Sequence, residues 1–144
     1  MRFVIDTNVV LSALISKTGA SYQLLRWLFE CEAPHSVIST PLVIEYEDVL
    51  MRPDHRQRYP QFTDEDLERF IDDICTVSIH QSIFYLWRPF LSDPKDDMVL
   101  ETAFNGNAET IVTYNLRDFR QVRENFDIEV VSPGDFWQQL QELE

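Results

Sequence analysis

Short unbroken apolar runs alternate along this chain with stretches in which apolar residues return every three to four positions. That exchange of patterns predicts strands alternating with helices. Phe3-Val4-Ile5 is apolar throughout, as a buried parallel strand requires. Tyr22, Leu24, Leu25, Leu28 and Phe29 then fall on one helical face, and Val37-Ile38 reads as a second strand. Thr40 is expected to cap a helix with Pro41 in its first turn and a buried stripe of Leu42, Val43, Tyr46, Val49 and Leu50. Residues 52–62, polar and broken by Pro53 and Pro60, read as a loop.

Thr63 followed by Asp66 resembles a capping box, opening a helix packed through Leu67, Phe70, Ile71 and Ile74. Val77 to Ile79 reads as a short strand. Asp93-Pro94 begins another helix, which Asn105-Gly106 ends. Thr110 to Thr113 and Ile128 to Val131 are further strands. Ser132-Pro133 caps a last helix, packed through Phe136, Leu140 and Leu143. Strands separated by helices imply a parallel sheet covered on both faces. No repeat or linker interrupts the pattern, so residues 1–144 are expected to form one α/β domain.

Composition narrows the setting. The length suffices for a single core without metal or disulfide staples. No apolar run approaches the ~20 residues of a membrane span. The N-terminus reaches Asp6 too early for a signal peptide. Cys31 and Cys75 stand apart and His35, His55 and His80 are scattered, which predicts reduced thiols in the cytoplasm and no zinc site. The net charge of −13 argues against tight nonspecific DNA binding. Any RNA contact must use a local arginine surface against a repulsive field. The acidity suits metal binding or a basic protein partner.

In open α/β folds the ligand site lies beyond the carboxyl ends of the strands. Asp6 directly follows the first strand. Glu45 lies in the first half of the helix after the second and is preferred to Glu47, which is farther from the helix N-terminus. Asp93 and Asp96 are explained as cap and first-turn acids, leaving Asp97 as the functional candidate of that segment. Asp118 follows the strand ending at Thr113. Four carboxylates converging on one cleft repel each other unless a cation joins them, and Mg²⁺ or Mn²⁺ prefers such hard oxygen ligands. A divalent cation there would activate water against a phosphodiester, chemistry that needs no catalytic His or Cys.

The ordered set Val4-Ile5-Asp6-Thr7-Asn8, Leu42-Val43-Ile44-Glu45-Tyr46, Asp93-Pro94-Lys95-Asp96-Asp97, Thr110-Ile111-Val112-Thr113 and Val130-Val131-Ser132-Pro133-Gly134-Asp135-Phe136 resembles the PIN-domain family across nearly the whole chain. Within that family it is similar to VapC-type toxins of toxin–antitoxin pairs. The resemblance implies a three-layer α/β/α fold with a mainly parallel central sheet, one or two divalent metals, and cleavage of single-stranded RNA. It also implies a homodimer blocked by an antitoxin. By the same resemblance Asp6, Glu45 and Asp97 match family acids, and Asn8 and Thr113 match the polar residues beside them. Many members carry Asp where this chain has Asn115. A variant with Asn there and Asp three residues on also occurs, and Asn115 with Asp118 resembles it, so Asp118 is taken as the fourth acid.

Arg117, Arg120 and Arg123 recur every three residues near the expected site, and Arg52, His55, Arg56 and Arg58 with Tyr59 and Phe62 form a second basic and aromatic segment. Arg117, Arg120 and Arg56 are the candidates for RNA contact; ordinary surface arginines are the plain alternative. Two other readings compete. Asn115 favours a degenerate PIN domain that binds RNA or protein without cutting, against three intact acids. Haloacid-dehalogenase-like phosphatases also place Asp after a first strand, but they need a second Asp where this chain has Asn8.

Overall fold

Five strands of three residues each form the centre of the computed structural model, which describes residues 1–143. They are β1 (Phe3–Ile5), β2 (Ser36–Ile38), β3 (Ser78–His80), β4 (Thr110–Val112) and β5 (Glu129–Val131). All are parallel, in the order β3-β2-β1-β4-β5. Around them run α1 (Thr7–Ile15), α2 (Ala20–Glu30), α3 (Thr40–Leu50), α4 (Pro53–Arg56), α5 (Asp64–Thr76), α6 (Pro94–Asn105), α7 (Arg120–Asn125) and α8 (Pro133–Leu143).

The chain steps from β1 to β2 to β3 in one direction, then crosses to β4 and β5 in the other. Right-handed crossovers therefore put α6 and α7 on the face opposite α1 to α5, giving three α/β/α layers. β1, β2 and β4 are buried along their whole length, β1 as an apolar run and β2 and β4 with the hydroxyls of Ser36 and Thr110 at their starts. Phe3, Val4, Leu24, Leu28, Leu42, Leu100 and Ile111 are fully enclosed, each contributing ~1.5–3 kcal/mol relative to exposure. At the end of α6, a Cβ on Gly106 would lie 2.5 Å from Val37 Cγ1, so only glycine lets this helix pass β2. Asn107 then takes the left-handed conformation, φ 53°, that turns the chain toward β4. Among the described residues, no helix is long and apolar enough to cross a membrane.

Several expectations need correction. Ser39, not Thr40, caps α3, its Oγ accepting from Leu42 N–H at 3.4 Å while Thr40 and Pro41 enter the first turn. The polar loop after residue 52 contains α4. Helices α1 and α7 were not expected at all. Leu143 is 76% exposed and takes no part in packing α8, which rests on Phe136 and Leu140.

Candidate active site

The strand order reverses between β1 and β4, and a crevice opens at the carboxyl ends of two such strands. Register carries residues into it. Ile5 pairs with Val112, so the next residues outward, Asp6 and Thr113, stand side by side. Thr113 Oγ1–H donates to Asp6 Oδ2 at 2.8 Å, and Thr7 N–H donates to Asp6 Oδ1 at 2.8 Å. Asp6 also serves as the N-cap of α1, which fixes its carboxylate where strand becomes helix. Beneath it the buried Tyr46 hydroxyl donates to the carbonyl of Ile5. Burial, and secondarily the Asp6 charge, push the Tyr46 pKa well above its ordinary value, so this hydroxyl remains a donor.

The N-terminus of α6 faces the same crevice, and its adjacent acids Asp97 and Asp96 have different surroundings there. Asp97 is 1% exposed, and its Oδ1 accepts from Leu91 N–H at 2.8 Å and Phe90 N–H at 3.4 Å. One turn on, Glu101 accepts from Trp87 N–H and forms an ion pair with Arg88 at 2.6 Å. Another turn on, Asn105 Oδ1 accepts from Phe84 and Tyr85 N–H. Asp97, Glu101 and Asn105 are spaced by four and form a polar ladder that straps residues 84–91 along the helix. The neighbouring Asp96, about 100° around the helix, lies in the field of the other acids. Its pKa is pushed up to about 7 by burial and by the charges of Asp6, Asp93, Asp118 and Asp97.

Asp93 caps α6 through Lys95 N–H at 2.9 Å and adds its charge to the field at both Asp6 and Asp96. Asp118 is exposed and returns toward the crevice through a turn closed by its own N–H to Asn115 O at 3.1 Å. Glu45 is half-buried on α3 whereas Glu47 is exposed, and Glu45 pairs with Lys95 Nζ at 3.5 Å. The Asp6 pKa is raised chiefly by burial, against the lowering effect of its Thr113 and Thr7 hydrogen bonds; Glu45 and Asp93 raise it further. Acids from four separate parts of the chain thus share one field. Among the described residues, no three His, Cys, Asp or Glu side chains lie close enough to enclose a metal ion. Like charges left to one another stand apart, and the ammonium of Lys95 is held by Glu45.

Asn8 Nδ2 approaches Thr113 Oγ1 at 3.4 Å, and its Oδ1 accepts from Tyr114 N–H at 3.3 Å. Asn115 donates its backbone N–H to Thr113 Oγ1 at 3.0 Å. Arg117 and Arg120 line a cavity of about 220 Å³ with Leu91, Ser92, Asp118 and Gln121, beside the acids. Arg56 is not brought there. It lies beyond the far end of α3, ~16 Å along the helix axis from the crevice, where it binds Asp64 at 2.9 Å and Phe62 O at 2.8 Å.

Compared with known proteins, the chain matches the PIN domain family over residues 2–117. No curated protein sequence matches it. Its fold is similar to that of a chain in VapBC2 from Rickettsia felis bound to a DNA fragment from their promoter. The TM-score is 0.61 and the identity 19%, covering 92% of this chain and 98% of that one. It is also similar to a chain of VapBC-1 from nontypeable Haemophilus influenzae, with a TM-score of 0.57 and 14% identity over 93% and 99% of the two chains.

Proposed function

Because the chain belongs to the PIN domain family, we propose that it is a Mg²⁺- or Mn²⁺-dependent endoribonuclease acting on single-stranded RNA, the toxin of a toxin–antitoxin pair. The observation that carries this reading is the set of carboxylates at the β1/β4 crevice, where burial first, and the charges of Asp6, Asp93, Asp118 and Asp97 after it, push the Asp96 pKa up to about 7. Such a set is costly to a fold unless a cation offsets it. The donors are all hard oxygens, which fit Mg²⁺ and Mn²⁺. Asp6, Asp96 and Asp118 would hold the ion, with Glu45 released from Lys95 and Asp93 at the margin. When bound, the cation supplies the Lewis acidity for phosphodiester hydrolysis.

The chain's own residues do the rest. Thr113 and Thr7 lock both Asp6 oxygens in one rotamer, each with a lone pair left to face the crevice. Tyr46 holds the backbone just before Asp6. Arg117 and Arg120 offer the phosphate of the substrate a cationic wall in a chain of net charge −13. Asp97 belongs to the scaffold, fixing the loop that borders this wall.

An antitoxin partner is supported by the likeness in fold to chains of two VapBC assemblies and by an open groove of about 570 Å³ among α1, α2 and α5. Leu14, Tyr22, Leu25, Phe29, Phe62 and Phe70 line it, a surface suited to the apolar face of an antitoxin segment. A homodimer in the cytoplasm completes the proposal. Purified protein should cut single-stranded RNA only with a divalent cation, and Asp6→Asn or Asp96→Asn should nearly abolish turnover. Full activity in Asp96→Asn would sink this assignment of the site.

A further inference from the structure

Tyr114 occupies an unusual position beside the acids. It follows Thr113 directly, its N–H reaches Asn8 Oδ1 at 3.3 Å, and its hydroxyl lies 2.6 Å from Ser21 Oγ and 3.2 Å from Ser12 Oγ. Asn8 and Ser12 stand one turn apart on the same face of α1. The residue is therefore tied to that helix through its backbone N–H and through its hydroxyl, yet it remains 48% exposed. An exposed tyrosine ordinarily samples several rotamers and loses that freedom on binding. Here α1, α2 and β4 hold it in one orientation before any ligand arrives.

The platform begins next to Asp6 and ends ~9 Å farther along α1, at Ser12. A chain whose phosphate lies among the acids brings a neighbouring base within reach of it. We propose that Tyr114 is a stacking platform for one unpaired nucleobase of the RNA, placed beside the phosphate to be cut; this rests on the nuclease reading above. Bases of single strands are free to leave their neighbours and stack on an aromatic ring, whereas those of a duplex are already stacked. Every base has a π-face, so the platform sets the register of the strand and selects single-stranded over paired substrate without reading sequence.

The test scans single abasic sites along a labelled single-stranded RNA of about 12 nucleotides, a length spanning one small binding site. Affinity is read by fluorescence anisotropy with Ca²⁺, and cleavage with Mn²⁺. For the wild-type chain, one abasic position adjacent to the cut should weaken binding roughly 5- to 150-fold. Tyr114→Ala should weaken binding of intact RNA by a similar factor and make that abasic position indifferent. Tyr114→Phe, which keeps the ring and loses the serine bonds, should stay within roughly threefold of wild type, a loss worth less than one hydrogen bond. An abasic penalty that persists in Tyr114→Ala overturns the proposal, as does a scan of the wild-type chain in which no position matters. If the wild-type chain neither binds nor cuts the RNA, the nuclease reading falls and this proposal with it. If it cuts normally while Tyr114→Ala is unaffected, only the platform falls.

Discussion

Replacing Asp96 by Asn should make the metal-free protein more stable while removing its activity. Asp96 carries a pKa pushed from the ordinary 3.8 to about 7, by burial first and by Asp6, Asp93, Asp118 and Asp97 after it. At ~1.4 kcal/mol per pH unit, that gap corresponds to about 4 kcal/mol. The crevice opens to water and salt, and screening leaves on the order of 1–2 kcal/mol. An acid in the first turn of a helix is favoured by ~0.3–1 kcal/mol, which the amide gives up. The net gain is about 1 kcal/mol, a rise of ~2–4 °C in Tm for a chain of this size. The sign follows from linkage: a raised carboxyl pKa favours the fold below pH 3.8, and that contribution is lost as pH rises through about 7. In a chelator the two proteins should therefore melt together near pH 4 and separate progressively to pH 8, with Asp96→Asn the more stable. Added Mn²⁺ should reverse the order at pH 8, because only the wild type gains by binding. A variant less stable than wild type at pH 8 in chelator, or a difference that ignores pH, refutes the reasoning.

Three further expectations follow from the same geometry. Asp97→Ala leaves the buried N–H of Leu91 and the partly buried N–H of Phe90 without their acceptor and should cost ~1–3 kcal/mol at every pH, measured by denaturant unfolding; a loss of activity with stability intact would instead put Asp97 in the active site. Asp118→Asn should raise the metal concentration needed for cleavage and slow the reaction, with Asn115→Ala costing less; unchanged metal dependence would reduce the site to the remaining acids. Expression of the wild-type chain in bacteria should slow growth and that of Asp6→Asn should not, and equal slowing by both would point to a burden unrelated to cleavage.

The elements that were legible in the sequence are those whose environment is simple. Phe3-Val4-Ile5 sits in mid-sheet and is apolar throughout, and Thr110-Ile111-Val112 beside it is β-branched throughout, so their pattern follows their burial. The capping box of Thr63 and Asp66 is a local device and formed as written. Helix α1 escaped notice because Val9, Val10, Leu11, Ala13, Leu14 and Ile15 make it apolar nearly all round, with little more than Asn8 and Ser12 to mark a period. Helix α7 has six residues and one buried side chain, too little for a pattern. Ser39 and Thr40 are adjacent hydroxyls, and only the backbone decides which one caps.

The site divides the same way. The place of Asp6 at the crevice was legible because it directly follows a buried strand, at the carboxyl end of the sheet. Asp96 and Asp97 were not separable, since adjacent helical residues point ~100° apart and no pattern marks how Phe90 and Leu91, just before the helix, fold back onto Asp97. The spacing of Asp97, Glu101 and Asn105 by four was the available signal, a polar stripe in a helix otherwise buried. Arg56 shared its chemistry with Arg117 but not its place, and place is set by the direction in which α3 runs.

The most direct test of the account is cleavage of a labelled single-stranded RNA by the purified chain, in chelator and after Mg²⁺ or Mn²⁺ is restored, with Asp6→Asn and Asp96→Asn alongside. The carboxylate crevice predicts no cleavage in chelator, recovery with either cation, and a loss of at least roughly 100-fold in both variants, as expected when a cation carries the phosphoryl charge. Undiminished cleavage in chelator, or a variant that cuts as fast as the wild type, would contradict it.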